Sequence, residues 1–137
     1  MKKFTITVAK TAGFCFGVDR AVKLVYNEIY SGCKAATLGE IIHNPTVVND
    51  LKERGVRVIS SPDEALEGER VVIRSHGAGA DVYRRLEELR IGYSDGTCPF
   101  VRRIQKIAEE CSQKGMTVVI MGDSTHPEVI GIAGHCT

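Results

Sequence analysis

Two cysteines, three histidines and one glutamate in this 137-residue sequence stand where side chains can do chemistry. Cys15, in Thr11-Ala-Gly-Phe-Cys15-Phe-Gly17-Val18, lies between two glycines at a turn that enters a helix. Glycines there allow close backbone approach, and a helix N-terminus favours a thiolate. The competing reading is a small hydrophobe buried beneath the loop. Cys98, in Asp95-Gly-Thr-Cys98-Pro-Phe100, takes an N-cap position ahead of Pro99. Ser, Thr, Asp or Asn caps better, so a sulfur at that point reads as a ligand or nucleophile. His43 in Ile41-Ile-His43-Asn-Pro45, His76 in Arg74-Ser-His76-Gly77 and His126 in Gly122-Asp-Ser-Thr-His126-Pro-Glu128 each sit in a loop. A single loop histidine ordinarily caps a helix or faces solvent. Three in equivalent places suit a phosphate, because their N–H groups donate and their charge adjusts near neutral pH. Glu128, in the first turn of the last helix, is either an ordinary dipole partner or the proton donor of a site lined by cations. Cys33 and Cys111 fall at a helix end and on a helical apolar face, and read as core residues. His135 and Cys136 receive no assignment.

The elements that would position these groups follow from periodicity. Short β-branched runs at Phe4–Ala9, Ala36–Gly39, Val56–Ile59, Val71–Arg74, Ile91–Ser94 and Thr117–Met121 read as strands. Helical spacing covers Val18–Tyr30, Pro45–Arg54, Pro62–Glu67, Asp81–Leu89 and Phe100–Gln113, with a last helix opening near Pro127. Ser61-Pro-Asp-Glu64 has the form of a capping box, and Gly55 and Gly115 are suitable helix stops. Alternation over such short connections predicts an α/β protein with a parallel sheet flanked by helices. In such sheets ligands bind beyond the carboxyl ends of the strands, where helix N-termini attract anions. Cys15, His43, His76, Cys98 and His126 each follow a predicted strand and precede a predicted helix, so all five fall on that edge.

Composition narrows the classes of function. With 43% hydrophobic and 26% charged residues the chain is that of a folded globular protein. A net charge of +1 gives no reason to expect a nucleic acid or an anionic membrane as partner. No apolar run approaches the roughly 20 residues of a transmembrane helix. The opening Met1-Lys2-Lys3 is basic but leads into no apolar signal region, so a cytoplasmic location is expected. The five cysteines are odd in number, scattered and free of any Cys-x-x-Cys pair. That spacing argues against a secreted disulfide framework and a simple zinc knuckle. The βα unit that begins at Thr117 has barely entered its helix at Thr137, so the chain reads as cut.

The same residues carry a family resemblance. Ala12-Gly-Phe-Cys-Phe-Gly-Val18, Ile42-His-Asn-Pro45, Arg74-Ser-His-Gly77, Asp95-Gly-Thr-Cys-Pro-Phe100 and His126-Pro-Glu-Val-Ile-Gly131 closely resemble, in order, motifs of the IspH/LytB family. The resemblance implies an iron–sulfur reductase acting on 4-hydroxy-3-methylbut-2-enyl diphosphate in the last step of the methylerythritol phosphate route to isoprenoids. It implies that Cys15 and Cys98 are two of three thiolate ligands of a [4Fe–4S] cluster. It makes His43, His76 and His126 the diphosphate-binding residues and Glu128 the acid that relays a proton to the departing hydroxyl. Ferredoxin or flavodoxin would supply the electrons.

That family has three similar α/β lobes in a chain about twice as long. Residues 1–96 would form the first lobe and residues 97–137 the start of the second, with the third cluster cysteine elsewhere. The expectation is therefore a reductase in its complete form and an inactive fragment on its own. Two other readings of the same residues stay open. One is a zinc or thiol hydrolase using Cys, His and Glu. The other is a diphosphate-binding module without catalysis.

Overall fold

Four short strands, all parallel, define the architecture of this chain, and the computed structural model describes residues 3–136 of it. In chain order the elements are α1 (Phe16–Tyr30), β1 (Lys34–Leu38), α2 (Pro45–Glu53), β2 (Arg57–Ile59), β3 (Glu69–Ile73), α3 (Ala80–Glu88), β4 (Tyr93–Asp95), α4 (Pro99–Gln113) and α5 (Pro127–Ala133). The strands lie in the order β2-β1-β3-β4. The register sets Leu38 beside both Ile59 and Ile73, and Ile73 beside Asp95. The chain thus builds outward from β1 in one direction and from β3 in the other. The seam between β1 and β3 is where the winding reverses, which in open parallel sheets is the favoured ligand position.

Local sequence explains each element. β3 is buried from Val71 through Ile73, the continuous apolar run expected of a strand covered on both faces. Its side chains alternate between faces. Val72 packs with Ala21, Val25, Ile41 and Leu51 under α1 and α2, whereas Val71 and Ile73 pack with Ile59, Ala78 and Leu86 under α3. α2 starts at Pro45 because Asn44 accepts from the amides of Thr46 and Val47, relieving two unpaired N–H groups. α4 buries Val101, Gln105 and Ala108 at helical spacing and leaves Ile104 and Ile107 exposed.

Three predicted elements differ. Phe4–Ala9 is not a strand, although Phe4, Ile6 and Val8 alternate as a strand would; all three are exposed and pair with nothing among the described residues. Thr117–Met121 is likewise unpaired, with Val119 and Met121 exposed. Alternation describes a face that needs a partner, and a lone segment has no ladder to join. The predicted helix Pro62–Glu67 shortens to a 3₁₀ turn over Pro62–Glu64, capped by Ser61. Cys33 and Cys111, expected in the core, are only half-buried. The basic opening at Met1 and Lys2 and the last residue, Thr137, lie outside the described residues. Among the described residues no helix is long and apolar enough to cross a membrane.

The central strand should dominate stability. Ile73 is 0% exposed, and replacing a buried isoleucine by alanine costs about 2–5 kcal/mol through lost burial and a residual cavity. Urea denaturation of Ile73→Ala should show the midpoint lowered accordingly with the slope unchanged.

Candidate functional site

The three loop histidines meet at the carboxyl edge of the sheet. His43 leaves β1, His76 leaves β3, and His126 opens α5. Their rings form a row, with centroids 5.9 Å apart for His43 and His76 and 5.4 Å for His76 and His126. His43 and His76 flank the seam where the sheet reverses. His126 is an N-cap whose Nδ1 accepts from the amide of Glu128 at 3.2 Å. A neutral ring that accepts at Nδ1 carries its proton on Nε2, so that donor stays available to an anion.

His76, in the middle of the row, has a buried Nδ1 without a hydrogen-bond partner among the described residues. A buried polar atom left unpaired is costly and marks a place where a ligand or water completes the bonding. Burial holds the His76 imidazole below the ordinary histidine pKa, and Arg74, His126 and His43 push it the same way. Arg74, half-buried two residues earlier, is itself held below the usual arginine value by burial, offset by Glu40. Four basic side chains therefore gather where helix N-termini also point. A cavity of about 290 Å³ beside them is lined by Gly39, Ser60, Arg74, Gly77, Pro127 and Ile130. Larger cavities of about 460 and 520 Å³ lie elsewhere, and neither they nor the 290 Å³ cavity is lined by any of the six predicted site residues, the smaller one reaching the row only through Arg74, Gly77 and Pro127.

The two cysteines come to the same region from different elements. Cys15 is the N-cap of α1 and exposed, Cys98 is the N-cap of α4 and half-buried, and neither sulfur makes a cap hydrogen bond. Cys98 packs closely on the first turn of α1 because residue 17 is glycine: a Cβ there would sit 2.7 Å from Cys98 Sγ. The amide of Cys98 donates to the carbonyl of Ser75 at 2.9 Å, which splices the cysteine loop to the histidine loop. Gly77, with φ of 74°, takes a left-handed turn just after His76, and a side chain there would strike Gln105 of α4. Two free cysteines at helix N-caps, neither engaged as a cap, have the donor chemistry of a soft metal centre with thiolate ligands. Among the described residues no group of three or more His, Cys, Asp or Glu could hold a metal ion unaided. Glu128 stands half-buried in the first turn of α5, beside His126.

The family model for LytB protein matches residues 6–137. The chain belongs to the LytB family. The 4-hydroxy-3-methylbut-2-enyl diphosphate reductase of Caldanaerobacter subterraneus subsp. tengcongensis is 50% identical over 135 residues, covering 96% of this chain and 47% of that protein. The protein of the same name from Clostridioides difficile is 40% identical over 134 residues, covering 96% and 47%. A solved structure of (E)-4-hydroxy-3-methyl-but-2-enyl diphosphate reductase, the terminal enzyme of the non-mevalonate pathway, superposes with a TM-score of 0.80 at 44% identity, over 95% of this chain and 46% of that one. A Plasmodium falciparum reductase structure gives a TM-score of 0.86 at 23% identity, over 92% and 40%, which speaks to the fold alone. This LytB chain spans about half the length of the curated relatives it matches.

Sequence reasoning put Cys15, His43, His76, Cys98 and His126 on one edge but missed what holds them. Arg74 sits inside a quoted motif, yet nothing local marks it as a fourth cation. The bonds from the Cys98 amide to Ser75 O and from the Arg20 guanidinium to the carbonyls of Asp95 and Thr97 act across long separations, where no sequence pattern reaches. The depressed His76 pKa has a pH consequence. Below about pH 6.5, the ordinary value, the unfolded chain takes up a proton that the native ring resists, so stability falls toward the lower folded midpoint. Proton NMR titration should place the His76 midpoint below that of a free histidine. Denaturation of His76→Asn should lose less stability than the parent across the same window.

Proposed function

We propose that this chain supplies the diphosphate-binding edge and two of the cluster thiolates of a 4-hydroxy-3-methylbut-2-enyl diphosphate reductase. The supporting observation is the juxtaposition of the histidine row, at 5.9 and 5.4 Å, with a Cys98 that packs on the helix headed by Cys15. The first lobe ends near Gly96, and residues 97–137 open a second of the same kind. A ligand set with one iron left open to substrate needs a third cysteine from the remainder of the protein, so the 137 residues alone are inactive.

His43, His76 and His126 bind the diphosphate by donating N–H groups to its oxygens, and Arg74 adds positive potential behind them. An anion in the row gives the orphaned Nδ1 edge of His76 an electrostatic partner and reverses the repulsion among the rings. Holding the diphosphate fixes where the allylic hydroxyl lies, and orientation of this kind lowers the barrier by removing motional freedom beforehand. Glu128 delivers a proton to that hydroxyl. The carbon–oxygen bond breaks, the hydroxyl leaves as water, and two electrons with a second proton form the new carbon–hydrogen bond. The electrons come from a ferredoxin- or flavodoxin-type donor. A bound [4Fe–4S] cluster, held in part by Cys15 and Cys98, supplies electron transfer and Lewis acidity at that hydroxyl.

Substitutions in the complete protein separate these roles. Cys98→Ser should abolish iron and sulfide retention, while Cys111→Ser, on the apolar face of α4, should retain both; equal loss would remove the distinction between ligand and packing cysteines. Glu128→Gln should keep substrate affinity and slow turnover about 10²-fold or more, as expected on losing a general acid. Collapse of binding instead would make Glu128 a structural residue. Activity of the 137-residue chain equal to that of a complete relative would overturn the division of the site.

A further inference from the structure

Arg20 lies on α1, one turn beyond Gly17, on the face that meets the β4–α4 loop. Its guanidinium reaches across the fold to two main-chain carbonyls. One nitrogen donates to Thr97 O at 3.0 Å and the other to Asp95 O at 3.1 Å, bridging 77 and 75 residues of chain. These carbonyls bracket Gly96 and immediately precede Cys98. The loop is fixed from other sides as well. Gly96 N donates to Ile73 O at 2.8 Å, Thr97 N to the Asp95 carboxylate at 2.8 Å, and Cys98 N to Ser75 O at 2.9 Å. Those bonds tie the loop to the sheet and to itself. Of the side-chain bonds to this loop, Arg20 supplies the pair that comes from the helix headed by Cys15.

We propose that Arg20 is the positioning residue of the thiolate pair, clamping the Cys98 loop onto α1 so that Cys15 and Cys98 face a common ligand. The planar fork suits this role, because two nitrogens with a fixed spacing address the two carbonyls that flank Gly96. A single-headed donor such as lysine holds one of them and leaves the loop free to pivot. The contact on the opposite side of the clamp is the close packing of Gly17 against Cys98 Sγ. Gly17 permits the approach and Arg20 enforces it. The inference rests on the assignment of Cys15 and Cys98 as cluster ligands, but the geometry it concerns is testable without a cluster.

The experiment uses the complete protein in two forms. In the apo form, a short dithiol-reactive cross-linker is applied, and the peptide joining Cys15 to Cys98 is quantified by mass spectrometry. Arg20→Met should slow that cross-link by about tenfold or more, since both charge-assisted bonds are lost, with the melting temperature close to that of the parent. Arg20→Lys should fall between the two. After anaerobic reconstitution, Arg20→Met should lose iron and sulfide faster than the parent, and the reduced cluster should show an altered electron paramagnetic resonance spectrum. Parent-like cross-linking and an unchanged spectrum in Arg20→Met would overturn the proposal. If Arg20→Met does not fold, Arg20→Lys decides alone, and a parent-like rate there overturns it. A parent protein that cross-links but takes up no iron would sink the ligand assignment instead, leaving the clamp to be judged by the cross-linking rates.

Discussion

The side chains with a proposed role gather at one edge because the strands run in one direction and pair in register, with Leu38 beside Ile73 and Ile73 beside Asp95. Parallel pairing sends every following loop to the same side. The histidine loops after β1 and β3 then emerge as neighbours, and the Cys98 loop after β4 emerges next to them. A shift of one residue between β1 and β3 would exchange the faces to which Val71, Val72 and Ile73 point and would empty both cores. The site inherits its geometry from burial in the sheet below it.

Above the sheet, the arrangement is held by main-chain atoms more than by pairs of side chains. Ser75 O takes the amide of Cys98, and Ala78 O takes the side chains of Gln105 and His135. The segment carrying His76 is thereby fixed to α4 and to the turn after α5. The His76 imidazole thus has its position decided by backbone bonds, while its Nδ1 has no partner among the described residues.

Much of this could be read from the chain. The βα alternation, the caps at Asn44 and Ser61, and the placement of five Cys and His residues between strand and helix are local properties, carried by a few adjacent residues. What could not be read is either relational or long-range. The order β2-β1-β3-β4 depends on which strands find one another. The bonds from Arg20 span the two ends of the sheet-forming region, and the proximity of Cys98 to Gly17 joins residues far apart in sequence. The strands expected at Phe4–Ala9 and Thr117–Met121 show the same limit from the other side. Their patterns are those of strands, but a strand is a relation between two segments, and neither segment has a partner among the described residues.

The stretch Met116-Thr-Val-Val-Ile-Met121 has a solubility consequence. It contains no charge and no proline, is rich in β-branched residues, and leaves Met116, Val119 and Met121 open to solvent. A short segment of that composition with its main-chain N–H and C=O groups unladdered is a template for intermolecular β-stacking. Lys114 and Asp123 flank it and place a charge close to either end, in the manner of gatekeepers. They oppose stacking at the borders and leave the centre unprotected, so self-association of this chain at high concentration should begin between these six residues of neighbouring molecules.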